Sequence, residues 1–128
     1  MTPADLTSLY RGYIDCLNRQ DWANLHEYVD DGVRHNGRML GLDGYRAMLV
    51  KDFRAIPDLF FNIEILACQF PTIASRLVFD CTPSGVLFDL PVNGRRVQFS
   101  ENVFYEIRDG VITSVWSVID KAAIAAQL

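Results

Sequence analysis

Three side chains in this sequence have the chemistry to move protons: His35, Glu101 and Asp120. A carboxyl group in apolar surroundings is disfavoured as an ion, and a second carboxylate nearby raises the proton affinity of the pair further. One acid is then held neutral. Such a set can take a proton from carbon next to a carbonyl while a neutral acid or a tyrosine donates to the enolate oxygen. Each candidate also has a plainer role. His35 is a proton carrier near neutral pH if it projects into an apolar pocket, and a structural or exposed residue if it does not. Asp120 precedes KAAIAAQL, a run of strong helix formers, so it also reads as the N-cap of a short helix. Tyr13 lies within an apolar helical stripe, where its hydroxyl serves either as a satisfied core group or as a hydrogen-bond donor to a pocket.

Other chemistries find less support. His26 and His35 lack the i, i+4 spacing of a helical metal pair, and Cys16, Cys68 and Cys81 are widely spaced, without a C-x-x-C pair or a neighbouring histidine. No glycine-rich phosphate loop is present. Neither a cofactor nor a metal is expected, and the thiols read as buried and reduced.

The element that must position Glu101 and Asp120 is the stretch 96–120, RVQFSENVFYEIRDGVITSVWSVID. It reads as one long β-hairpin, because Asp109-Gly110 suits a two-residue type I′ turn and period-2 alternation runs away from it on both sides. With Arg108 opposite Val111, strict pairing sets Tyr105 against Ser114, Val103 against Trp116, Glu101 against Val118 and Phe99 against Asp120. Glu101 and Asp120 become diagonal neighbours, roughly 7–8 Å apart at the backbone. Phe99, Val103, Tyr105, Trp116 and Val118, with Tyr13, are the expected pocket walls for a small apolar or aromatic ligand. The opposite face alternates Phe104, Val111, Val115 and Ile119 with Asn102, Thr113 and Ser117, an apolar patch that a two-fold contact between identical sheets would cover. A homodimer through the outer face of the sheet is expected.

The chain of 128 residues is expected to form a single domain, 1–128, large enough to bury about two-thirds of its unfolded surface. Half of its residues are hydrophobic, 22% are charged, and the net charge of −4 argues against a nucleic-acid partner. The N-terminus, MTPADLTSLY, lacks a basic patch and apolar run, and no apolar stretch approaches membrane-spanning length, so no membrane partner and a cytoplasmic location are expected. Thr2-Pro3 with Leu6, Leu9, Tyr10, Tyr13 and Leu17 predicts a helix to about Asn18. Asp21 is expected to cap a short helix, WANLHEYV, which Asp30-Asp31-Gly32 stops. A short strand, Val33–Asn36, follows. Tyr45, Met48, Leu49, Phe53 and Ile56 predict another helix. LFFNIEILACQF and IASRLVFDCT then read as strands joined near Phe70-Pro71-Thr72, and the order predicts an α+β fold with helices on one side of an antiparallel sheet. Glu64, Arg76 and Asp80 cannot be assigned to either face from pattern alone.

This order, together with His35-Asn36-Gly37 and Gly41-Leu42-Asp43-Gly44-Tyr45-Arg46, Pro91-x-x-Gly94-Arg95-Arg96, and Phe104-Tyr105 through Arg108-Asp109-Gly110 to Trp116-Ser117-Val118-Ile119-Asp120, resembles the SnoaL-like polyketide cyclase, or ester cyclase, family. The resemblance spans nearly the whole chain. It implies the cone-shaped fold of nuclear transport factor 2 (NTF2), an NTF2-like curved antiparallel sheet wrapped around N-terminal helices. It also implies intramolecular aldol closure without metal or organic cofactor. In such enzymes an aspartate on the last strand is the acid/base, and Asp120 matches that position; His35 lies on the short strand that carries a pocket histidine. Glu101-Asn102 stands where relatives often carry a histidine after the acid, and Asp89 where a glycine is common. The second class of function is a non-enzymatic cone, either binding an apolar molecule or filled by its own side chains. The size of the cavity separates a filled scaffold from the other readings.

Overall fold

The computed structural model describes residues 1–128. Helix α1, Pro3–Asn18, starts on a reciprocal cap in which the Thr2 hydroxyl accepts from the Asp5 amide and the Asp5 carboxylate accepts from the Thr2 amide. Its buried stripe is Leu6, Tyr10, Tyr13, Ile14 and Leu17. A 3₁₀ turn, Trp22–Glu27, follows in place of the expected α-helix, and the Asp21 side chain makes no capping hydrogen bond to its backbone. Strand β1, Val29–His35, begins earlier than expected, since Asp30-Asp31-Gly32 lies inside it at a register shift. Strand β2 is the two-residue Arg38–Met39, and helix α2, Gly41–Ala55, buries Leu42, Tyr45, Leu49 and Phe53.

The remaining elements are β3 (Asn62–Gln69), β4 (Thr72–Cys81), β5 (Val97–Arg108), β6 (Val111–Ile119) and the short helix α3 (Lys121–Ala126). They complete a six-stranded, curved, unclosed sheet in the order β2-β1-β6-β5-β4-β3. The meander β3 to β6 is antiparallel as expected, but β1 joins β6 in parallel, so the sheet is mixed. Helices α1 and α2 pack on its concave face, and the core between them includes Leu6, Tyr10, Leu17, Ile73, Leu77 and Ile107, all at most 1% exposed. No helix is long and apolar enough to cross a membrane.

The hairpin turn is where expected, with Asp109 at φ 51° and Gly110 at φ 76°, the left-handed pair that a type I′ turn requires. Its register is not. Arg108 faces Val111 and Ile107 faces Ile112, but Glu106 then faces Ser114, because β6 carries one extra residue at this point. The Thr113 hydroxyl ties the bulge to the Glu106 carbonyl at 3.2 Å. From there Tyr105 faces Val115, Phe104 faces Trp116, Val103 faces Ser117 and Glu101 faces Ile119. A slip of one residue exchanges the two faces of a strand. Trp116 and Val118 therefore point outward, 45% and 71% exposed, while Val115 and Ile119, expected on the outer patch, turn inward. Glu64, Arg76 and Asp80 also lie away from the cavity, Arg76 paired with Glu64 and Arg96 with Asp80.

Candidate active site

The concave face of the sheet and the two long helices enclose a cavity of 590 Å³, of whose 23 lining residues 17 are hydrophobic. That is the size and character of a small-molecule site. Strand β5 sends Phe99, Glu101, Val103 and Tyr105 into it, as period-2 alternation dictates, and β6 sends Val115, Ser117 and Ile119. From α1 come Tyr13 and Leu17; from α2, Tyr45, Met48, Leu49 and Asp52.

Glu101 is the polar centre of this surface. The Ser117 hydroxyl donates a short hydrogen bond to its Oε2. Burial pushes the Glu101 carboxyl above the usual carboxylate range, the Ser117 hydrogen bond works against that shift, and the charge of Asp52 adds to it. Ser117 is itself fixed by Asn36, whose Oδ1 accepts from the Ser117 backbone amide at 2.8 Å and whose backbone N–H donates to the Val115 carbonyl at 2.8 Å. Asn36 does this from a left-handed backbone, φ 49°, just past the end of β1.

Tyr13, Tyr45 and Tyr105 line the cavity, and Tyr10 packs against Tyr105, ring centres 5.0 Å apart. The Tyr13 and Tyr45 hydroxyls are 2.6 Å apart, and those of Tyr10 and Tyr105 3.1 Å apart. Each pair holds two hydroxyl protons and uses one in its mutual bond, which leaves one per pair to donate elsewhere. Tyr13 and Tyr45 both line the cavity, so their remaining proton is available to a bound oxygen. Burial raises all four phenols, Tyr10 to about 12, so they remain neutral donors.

His35 lines the cavity edge-on to Tyr45, ring centres 6.3 Å apart, and burial with the nearby Arg38 charge lowers its pKa. It is a neutral imidazole at physiological pH. Asp52 is the second carboxyl on the cavity wall, and burial pushes it up to about 6 against the opposing charge of Lys51. At the rim, Phe88 sits on a tight turn with φ 50°, edge-on to Phe99, and the Lys121 ammonium lies 5.2 Å from the Phe88 ring centre.

The structure thus brings together His35, Glu101, Tyr13, Phe99, Val103 and Tyr105 from the sequence-derived set. Val118 reaches only the rim. Trp116 lies on the other sheet face and Asp120 outside the cavity wall, both displaced by the bulge. The Asp120 carboxylate accepts from the Ala123 amide at 3.0 Å and caps α3, the plainer of its two roles. Sequence reasoning missed Tyr45 as a pocket hydroxyl, Ser117 as an inward residue, and Asp52. The last left a signal: it falls on the stripe of Tyr45, Met48, Leu49 and Ile56, where an apolar residue is the norm.

The model of the SnoaL-like polyketide cyclase family matches residues 7–128. A SnoaL-like polyketide cyclase from Agrobacterium tumefaciens strain C58 is 54% identical, with a TM-score of 0.95 over 99% of this chain and 98% of that one. TsrD from Streptomyces laurentii (21% identity, TM-score 0.87, 99% and 96% coverage) and IdmH from Streptomyces antibioticus (19%, 0.82, 94% and 96%) share the fold. No functionally curated protein matches the chain. A match of this extent, on a cone with a carboxyl group at the centre of an apolar cavity, places the chain in the SnoaL-like polyketide cyclase family, with the NTF2-like fold.

Proposed function

We propose that this protein catalyses cofactor-independent acid/base chemistry, a cyclisation or isomerisation, on a small, largely apolar carbonyl compound, with Glu101 as its central acid. One observation carries the reading: Glu101, its proton affinity raised by burial, opens onto a 590 Å³ apolar cavity between a serine donor and a wall of tyrosines. A scaffold filled by its own side chains would leave no such volume. A carbonyl oxygen held near Tyr13 and Glu101 gains hydrogen bonds that strengthen as negative charge develops on it, in surroundings of low dielectric. His35 adds a neutral imidazole at the edge, able to accept or return a proton. Phe99, Val103 and Tyr105 supply flat and branched apolar walls suited to a ring-shaped compound. Asp120 has no part in this chemistry, since its carboxylate is engaged in capping α3.

The test uses β-tetralone, an apolar aromatic ketone, whose α-hydrogen exchange in deuterium oxide is followed by NMR. Wild-type protein should accelerate the exchange and Glu101→Gln should slow it by about 100-fold, the ordinary contribution of a positioned acid or base. Equal rates for the two proteins, both folded, would contradict the reading.

We further propose that two copies pair through the outer sheet face. Phe104 and Trp116 face each other there, 54% and 45% exposed, with Val118 at 71% and Ile65 at 56%. These residues replace Val115 and Ile119 in the patch read from the sequence.

A further inference from the structure

We propose that Asp52 is the base that works against Glu101, taking the proton from the carbon next to the substrate carbonyl. The inference rests on the acid/base reading of Glu101 and names the second partner that reading needs. Asp52 stands in the middle of the cavity-facing stripe of α2, with Met48 and Leu49 before it and Ile56 one turn beyond, all on the cavity wall. Its carboxylate makes neither a hydrogen bond nor an ion pair, so both oxygens are free for a ligand. A half-buried carboxylate without a partner carries a desolvation cost, and a helix position of this kind favours leucine or methionine on stability grounds alone. It shares the cavity wall with Glu101, Tyr13 and Tyr45, the groups that would hold the carbonyl oxygen.

The step balances without a co-reactant. An Asp52 oxygen takes the α-proton, the C–H electron pair becomes the carbon–carbon π bond, and the carbonyl π pair moves to oxygen, where Glu101 and the Tyr13–Tyr45 pair donate hydrogen bonds. The enolate carbon then attacks a second carbonyl of the same molecule or regains a proton from Asp52. The titratable groups that share the cavity with Asp52 or adjoin it are Glu101 and Tyr105 on β5, His35 on β1, Tyr13 on α1, Lys51 and Tyr45 on α2, and Lys121 at the rim.

The experiment pairs β-tetralone exchange with binding of β-naphthol, a planar enolate mimic whose fluorescence distinguishes phenol from phenolate. Asp52→Asn should slow exchange by about 100-fold or more. Because asparagine imitates the protonated base, the same variant should bind β-naphthol about tenfold tighter at about pH 8, with more of it ionised. A merely structural role for Asp52 does not predict that opposite movement. Exchange in Asp52→Asn at the wild-type rate would overturn the base assignment and leave Glu101 standing. Wild-type protein that binds β-naphthol yet exchanges no β-tetralone would overturn the acid/base reading as a whole.

Discussion

At the scale of single residues, the base role proposed for Asp52 sets function against stability. The Asp52 carboxyl binds a proton more tightly in the folded chain, with a pKa of about 6 against 3.8 for an unperturbed aspartate. The folded state therefore holds more protons than the unfolded state between those values, and stability falls as pH rises through that window. Asp52→Asn should raise the melting temperature at about pH 8, by an amount equivalent to at most ~3 kcal/mol, and change it little below about pH 3, where both states are largely protonated. Calorimetry at the two pH values checks this; an equal effect at both would show that Asp52 is not desolvated. Asp120 behaves in the opposite way. Asparagine caps about as well as aspartate, so Asp120→Asn should leave both exchange activity and stability nearly unchanged, while Asp120→Ala costs about 1 kcal/mol in denaturant unfolding. Loss of exchange in a folded Asp120→Asn protein would return the aspartate to the catalytic centre.

At the scale of elements, the end of β1 sets the position of Glu101 through Asn36 and Ser117. Asn36→Asp keeps the oxygen that accepts from the Ser117 amide and tolerates the left-handed backbone, whereas Asn36→Ala loses both. Asn36→Ala should cost about 2 kcal/mol in chemical denaturation and lower exchange, with Asn36→Asp close to wild type. Equal losses in the two variants would show that the clamp is not what Asn36 contributes. The helices and the antiparallel meander were legible in the sequence because each follows from a local period: Leu6, Tyr10, Tyr13 and Leu17 at helical spacing, Phe99 to Ile107 at strand spacing. The turn at Asp109-Gly110 was legible from its left-handed requirement. The bulge at Thr113 was not, since nothing local marks one extra residue in a β-branched run, and that single residue reverses Trp116, Ser117 and Val118. The parallel β1–β6 pairing was hidden for a different reason: it joins segments about 80 residues apart, beyond the reach of any local period. Within the site, Tyr13, Glu101 and the β5 wall were readable because the bulge lies in β6, leaving the alternation of β5 intact.

At the scale of the molecule, a curved sheet has two apolar faces with different fates: the concave one makes the core and the cavity, and the convex one exposes Ile65, Phe104, Trp116 and Val118. Trp116→Lys with Phe104→Glu should therefore convert a dimer into a folded monomer, read by light scattering. Wild-type protein that is monomeric at micromolar concentration would refute the pairing. What the whole architecture sustains on its concave side is one carboxyl whose proton affinity is raised by burial among apolar walls. The most direct measurement is titration of the Glu101 carboxyl carbon by NMR, identified by its absence in Glu101→Gln and repeated with β-naphthol bound. The account predicts a pKa above the ordinary glutamate value of about 4.3 that moves higher when the ligand oxygen lies against it. A pKa at or below that value, unmoved by the ligand, would contradict it.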